Sequence, residues 1–147
     1  MALRPDLADL FAWGFAFPGP LRDKLTALAL AGTKTTTAGL LVESEADGEA
    51  LPMPGVREVL LDSDERPVAV LVTVDSRVAR LADVDDRHAI DEGEGYANAA
   101  EFRVAHGRFW NGYIDDLRRR FGADFAIDDD TLIVLQRFRI VERLEPD

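Results

Sequence analysis

The chain has 147 residues, 47% of them hydrophobic, with no cysteine and a formal net charge of −11. That length and apolar share suit one folded domain with a real core, and the missing cysteines exclude disulfides and thiolate metal sites. So acidic a balance repels long nucleic acid unless positive charge is gathered locally, which leaves small ligands or short RNA as partners.

Pro5 to Trp13 reads as a short helix, with Leu7, Leu10 and Phe11 on one side. It forms an N-terminal helical extension over about residues 1–20. Asp6 and Asp9 interrupt this stretch where a secretory signal needs unbroken apolar residues, and no later run is long enough to cross a bilayer. A cytoplasmic protein with no membrane partner is expected. After the "FPGP" turn a second helix spans Leu21 to Ala31, with Leu21, Leu25 and Leu28 at helical spacing and Gly32 placed to end it.

Thr35 to Val42 is β-branched and apolar and predicts a strand. "ESEADGEALPMPG" is a polar loop. Val56–Asp62 and Val68–Val74 are further strands around the turn "DSDERP", and the last of these continues to about Leu81. Val68–Val74 is apolar on both faces, as a strand packed on each side requires. "DVDDRHAIDEGEGY" predicts a helical turn ending near Glu92, then a glycine-hinged loop in which Asp91 and Glu94 read as solvated charge. Asn98 with Glu101 three residues on has the form of a capping box, opening a helix that runs to about Arg120. Thr131 to Leu144 is a final strand, with Leu132, Val134, Phe138 and Ile140 on one face and Arg137, Arg139 and Arg143 on the other. This order argues for one α+β domain over residues 1–147: a mostly antiparallel, barrel-like sheet of about five or six strands with flanking helices.

Few constellations carry chemistry. The two histidines, His88 and His106, stand eighteen residues apart without a zinc motif, and Asp128-Asp129-Asp130 lacks a calcium-loop pattern, so no metal or other cofactor is expected. No serine sits in a nucleophile-elbow motif. The stretch "LALAGTKTTTAGLLV" is different. Among 17 basic residues only Lys24 and Lys34 are lysines, and Lys34 stands at a helix–strand junction beside three threonines. Unlike guanidinium, a lysine amine can lose its proton when buried. In an alternating strand Thr35 and Thr37 share a face, so Lys34 and Thr37 could pair an amine with a hydroxyl beside one ligand, and a carboxylate could complete the set. On residue physics alone, the ordinary reading outweighs this one: threonines suit strands and lysines cover edges.

The elements "LALAGTKTTTAGLL", "PGVREVLLDSDERPVAVLVTVDSRVARLADVDDRHAIDEGEGYANAAEFRVAHGRFW" and "TLIVLQRFRIV" together resemble the ASCH-domain family over roughly Leu21 to Val141. The resemblance implies a PUA-like β-barrel, similar in fold to RNA-binding PUA domains, with a ligand cleft beside it. Some small members are amidohydrolases acting on N4-acetylcytidine, and others have been described as ribonucleases. In the small amidohydrolases a lysine, a threonine three residues on and a downstream glutamate form the catalytic set. Lys34, Thr37 and Glu92 match those positions. The chain departs at Gly39, where those enzymes carry an arginine, and this weighs against acetylcytidine itself as substrate. Its extra helix aligns it with the larger ASCH subgroup, in which Arg103 and His106 match polar positions. Two functions follow as expectations. One is binding of a nucleoside-like or short RNA ligand in a cleft contacted by Thr35 and His106 and rimmed by Lys34, Arg103, Arg137 and Arg139. The other is removal of an N-acyl group from a cytidine-like nucleoside, or RNA cleavage, through Lys34, Thr37 and Glu92.

Overall fold

The apolar, β-branched runs become the strands of one five-stranded sheet in the computed structural model, which describes residues 4–144. These are β1 (Ala12–Trp13), β2 (Thr36–Leu40), β3 (Arg57–Leu61), β4 (Pro67–Arg80) and β5 (Leu132–Arg143), in the order β1-β3-β4-β5-β2. β1 runs parallel to β3, and every other neighbouring pair is antiparallel. The two long strands, β4 and β5, pair from Ala69↔Arg143 to Arg80↔Leu132, with register shifts between Val70/Leu71 and Thr73/Asp75. Such irregularities bend and twist a strand. Here the first falls within the pairing of β4 with β3 and the second just beyond it, so the sheet curls. It does not close: among the described residues β1 and β2 are its two edges and do not pair with each other. The α+β, mostly antiparallel architecture with flanking helices is as the sequence implies, with the barrel left open on one side.

Helix α1 (Pro20–Leu30) packs Leu25 and Ala29 against Phe15, Leu60, Leu71 and Phe138. A second core lies under α3 (Asp86–Asp91), α4 (Ala99–Asn111) and α5 (Ile114–Phe121), where Phe102, Trp110 and Leu117 meet Leu40, Ile133 and Leu135. Leu7, Val59 and Val70 make a third, smaller cluster.

Several elements differ from their sequence expectation. Only Pro5–Leu7 of the first predicted helix is helical, as one 3₁₀ turn, while Ala12 and Trp13 pair with Val59 and Leu60. The open edge of β3 outcompetes local periodicity: the Val59 amide donates to the Phe11 carbonyl at 2.9 Å. β2 stops at Leu40, opposite Ile133, because its partner β5 begins at Leu132. The chain then forms α2 (Leu41–Ala46), a run of good helix formers within the predicted strand end and loop. The predicted helix to Arg120 is two helices, broken at Gly112 and Tyr113. Gly112 weakens the helix, and the Tyr113 hydroxyl donates to Glu43 Oε1 at 2.9 Å while its ring packs edge-on to Phe17. In β5 Leu132 is exposed, and burial runs unbroken from Ile133 to Gln136 because both faces are covered there.

Candidate functional site

Two helix C-termini and the face of a third helix converge around Lys34. α1 closes in a Schellman arrangement: Gly32 takes φ +81°, its amide donates to the Ala29 carbonyl, and the Thr33 amide donates to the Leu28 carbonyl. The chain therefore turns inward just before β2, and Lys34 is 1% exposed. Its ammonium donates to the Thr36 carbonyl at 2.8 Å, the Glu92 carbonyl at 3.3 Å and Glu94 Oε2 at 2.8 Å. Three acceptors match three N–H donors. The Phe15 ring lies 5.3 Å from Nζ, within cation–π range.

α3 supplies Glu92. Asp85 caps this helix through the His88 amide, and Glu92 follows directly at its C-terminus. Gly93 then turns with φ +71°, so close to the Lys34 segment that a Cβ there would lie 2.4 Å from the Thr33 carbonyl oxygen. Only glycine lets these two backbones touch. The Glu92 side chain is also 1% exposed. Its Oε2 meets His88 Nε2 at 3.0 Å, and its Oε1 lies 3.2 Å from His106 Nε2 and 3.6 Å from Lys34 Nζ. Burial alone would raise its pKa. The Lys34 charge and the contacts to His106 and His88 outweigh burial and hold the carboxyl well below the usual range.

α4 supplies His106. Asn98 caps it: its Oδ1 accepts from the Glu101 amide at 3.0 Å, while Glu101 Oε1 reaches back one residue past the cap and accepts from the Ala97 amide at 2.8 Å. The His106 ring stacks on Phe102, centroids 3.9 Å apart, which holds it facing Glu92. Its Nδ1 lies 3.2 Å from the Phe102 carbonyl, so both ring nitrogens face acceptors. Both contacts are hydrogen bonds only when both nitrogens carry protons.

These groups open on a cleft of about 180 Å³. Lys34, Thr37, Glu92 and His106 line it together, with Glu94, Tyr96, Phe15 and Trp110. The Tyr96 hydroxyl donates to Glu94 Oε1 at 3.3 Å, and burial followed by the Glu94 and Glu92 charges pushes its pKa up. Among the described residues the Thr37 hydroxyl makes no hydrogen bond, and Thr37 also lines the next lobe, of about 270 Å³, between the edge strands. The cleft thus occupies the side on which the sheet fails to close.

The remaining candidates lie elsewhere. Thr35 hydrogen-bonds the Asp91 carbonyl, and with Arg137 and Arg139 it lines a separate groove of about 570 Å³ along β5 and the end of α1. Lys34 lines that groove too. Arg137 pairs with Asp91 at 2.8 Å. Arg103 lines neither this groove nor the cleft. Residue-level reading missed Glu94, which it took for solvated charge; His88, whose i,i+4 spacing to Glu92 was the available signal; and Tyr96.

An open, mostly antiparallel PUA-like barrel with a polar cleft at its unclosed side is the class that fold and site define. Residues 12–142 match the ASCH domain, and the chain belongs to that family. Its fold is also that of a protein from Enterococcus faecalis V583, at TM-score 0.76 and 23% identity, over 90% of this chain and 77% of that one. An ASCH domain from Lactobacillus crispatus JV V101 is equally similar, at TM-score 0.76 and 23% identity, over 93% of this chain and 82% of that one. No curated protein matches the sequence significantly. Among the described residues no helix is long and apolar enough to cross a membrane.

Proposed function

We propose that the chain binds a small, nucleoside-like ligand in the cleft lined by Lys34, Thr37, Glu92 and His106. The observation that carries this reading is the pairing of a buried ionic network with an unspent hydroxyl. Lys34, Glu92, Glu94 and the two histidines satisfy one another, so the network is rigid and its cost is met internally. Of Lys34, Thr37, Glu92 and His106, Thr37 alone has a side chain without a hydrogen bond among the described residues, which leaves its hydroxyl for a guest. The aromatic walls of Phe15, Tyr96, Phe109 and Trp110 suit a planar base. The small volume and the net charge of −11 favour one nucleoside over an RNA strand.

The same hydroxyl supports a second reading, hydrolysis of an N-acyl nucleoside. Thr37 Oγ1 attacks the acyl carbon, and its proton passes to the Lys34–Glu94 pair. The pair is joined by the 2.8 Å hydrogen bond from Lys34 Nζ to Glu94 Oε2. The pair protonates the departing amine nitrogen as the C–N bond breaks. Water then cleaves the threonyl ester, releasing the carboxylic acid and restoring the hydroxyl.

The test is calorimetric titration and turnover measurement with a panel of nucleosides and N-acyl nucleosides, and with a short single-stranded RNA, on wild type, Thr37→Ala and Lys34→Ala. Saturable nucleoside binding that Lys34→Ala abolishes supports the binding reading. Turnover lost in Thr37→Ala, with binding kept, establishes the hydrolase. RNA binding without nucleoside binding would overturn both.

A further inference from the structure

The second lobe of the cleft holds a carboxylate that nothing in the Lys34 network uses. Of the residues lining this lobe, only Glu49 and Glu58 carry charge. Glu58, on β3, is 6% exposed. Its Oε1 accepts from the Trp13 indole N–H and from Gln136 Nε2, both at 2.9 Å. Gln136 also donates to Thr73 Oγ1 at 3.0 Å, which fixes its amide and so the carboxylate. Among the described residues no cation pairs with Glu58, and its Oε2 takes no hydrogen bond. Every fully sealed side-chain oxygen in the described residues has a partner, so Oε2 keeps some exposure, and Glu58 is one of the residues that line the lobe.

A carboxylate so buried, held by neutral donors alone, is costly unless a positive group completes it. Glu49 reinforces the negative potential: burial, then Asp47, Glu43 and Glu58, push its carboxyl pKa up. Phe11, Trp13 and Phe15 supply ring walls against which an organic cation is stabilised. Thr37, Phe15, Ala16 and Ala38 line both lobes, so the lobe that holds Glu58 adjoins the one that holds Lys34 at Thr37.

We infer that this lobe is a subsite for a positively charged N–H group, an ammonium or amidinium, donated to Glu58 Oε2 by the ligand whose polar body lies at Lys34 and Thr37. The inference rests on the ligand-binding reading above, and it names Glu58 as the residue that selects a cationic donor over its neutral isostere.

The experiment uses benzamidinium and neutral benzamide as probes in ¹⁵N-labelled protein. The Trp13 indole N–H is the reporter, because it donates to Glu58, and the Trp110 indole in the other lobe is the control. Benzamidinium should shift the Trp13 resonance saturably and bind at least about tenfold tighter than benzamide, the least that one charge-assisted hydrogen bond confers. Glu58→Gln can keep the Trp13 and Gln136 bonds through its amide oxygen while turning an NH₂ to the lobe, so it should erase the preference. A Trp13 resonance that does not move, or benzamide binding as tightly as benzamidinium, overturns the inference. The wild-type comparison decides even where Glu58→Gln does not fold. An unmoved Trp13 alongside nucleoside binding refutes the subsite alone, whereas loss of both refutes the cleft reading as well.

Discussion

Glu92 ties the ionic network together, because Lys34, His88 and His106 all reach its carboxylate. Glu92→Gln leaves the Lys34 ammonium buried with one carboxylate fewer, and breaking a buried pair in this way costs about 3–5 kcal/mol. Urea unfolding at neutral pH should show the loss. A depressed carboxyl pKa also sets a direction with pH. Its stabilisation is fully present above the unfolded-state pKa of about 4.3 and is lost as pH falls from there toward the lower folded value. Wild type should therefore lose stability steeply below about pH 4.3, and Glu92→Gln should lose that component of the slope. Equal acid limbs in the two proteins would contradict the network. At this scale the sequence was partly legible. Lys34 stood out as a rare lysine, while Thr37, Glu92 and His106 came through the family motif. Glu94 and Glu58 did not, since one looked like loop charge and the other is defined by partners 45 and 78 residues away.

The elements meet at a single point, where the end of α3 touches the segment entering β2. Gly93 makes that contact possible. Gly93→Ala would place its Cβ 2.4 Å from a backbone oxygen and force a non-glycine residue to φ +71°. The left-handed strain alone costs about 1–3 kcal/mol, and the clash adds to it. The expected result is a lower melting temperature together with weaker ligand binding, because Glu92 and Glu94 move away from Lys34. A substitution that leaves both unchanged would show that the close approach has no role. Local signals located these elements well where chemistry is punctuated: Gly32 ends α1 and Asn98 opens α4, as their residue types demand. They failed where tertiary pairing decided. Leu7, Leu10 and Phe11 carry helical spacing, yet Phe11 to Trp13 serves the open edge of β3, and Leu41–Ala46 is free to form a helix because β5 begins no earlier than Leu132.

Across the whole molecule, two features bear on the ligand: the gap between β1 and β2, and the net charge of −11. The open side of the curled sheet provides the cleft. The family resemblance implied a barrel with a cleft beside it, but which strands stay apart is set by long-range order that local periodicity does not carry. The charge sets the salt response. A nucleoside held by Thr37 and by aromatic walls releases few counterions, so raising salt from 50 to 200 mM should change its affinity less than about threefold. Binding that instead falls by orders of magnitude over that range would mark phosphate contacts and shift attention to the groove lined by Arg137, Arg139 and Arg143.

That alternative is separated most directly by an amide and indole ¹H–¹⁵N map of the wild-type protein titrated with a nucleoside. A ligand in the cleft should shift the Trp110 indole and the amides of Thr37, Ala38, Glu94 and Tyr96 saturably, and Lys34→Ala should abolish those shifts. Shifts confined to Thr35, Val74 and residues 137–143 would contradict the account and place the ligand in the arginine groove instead.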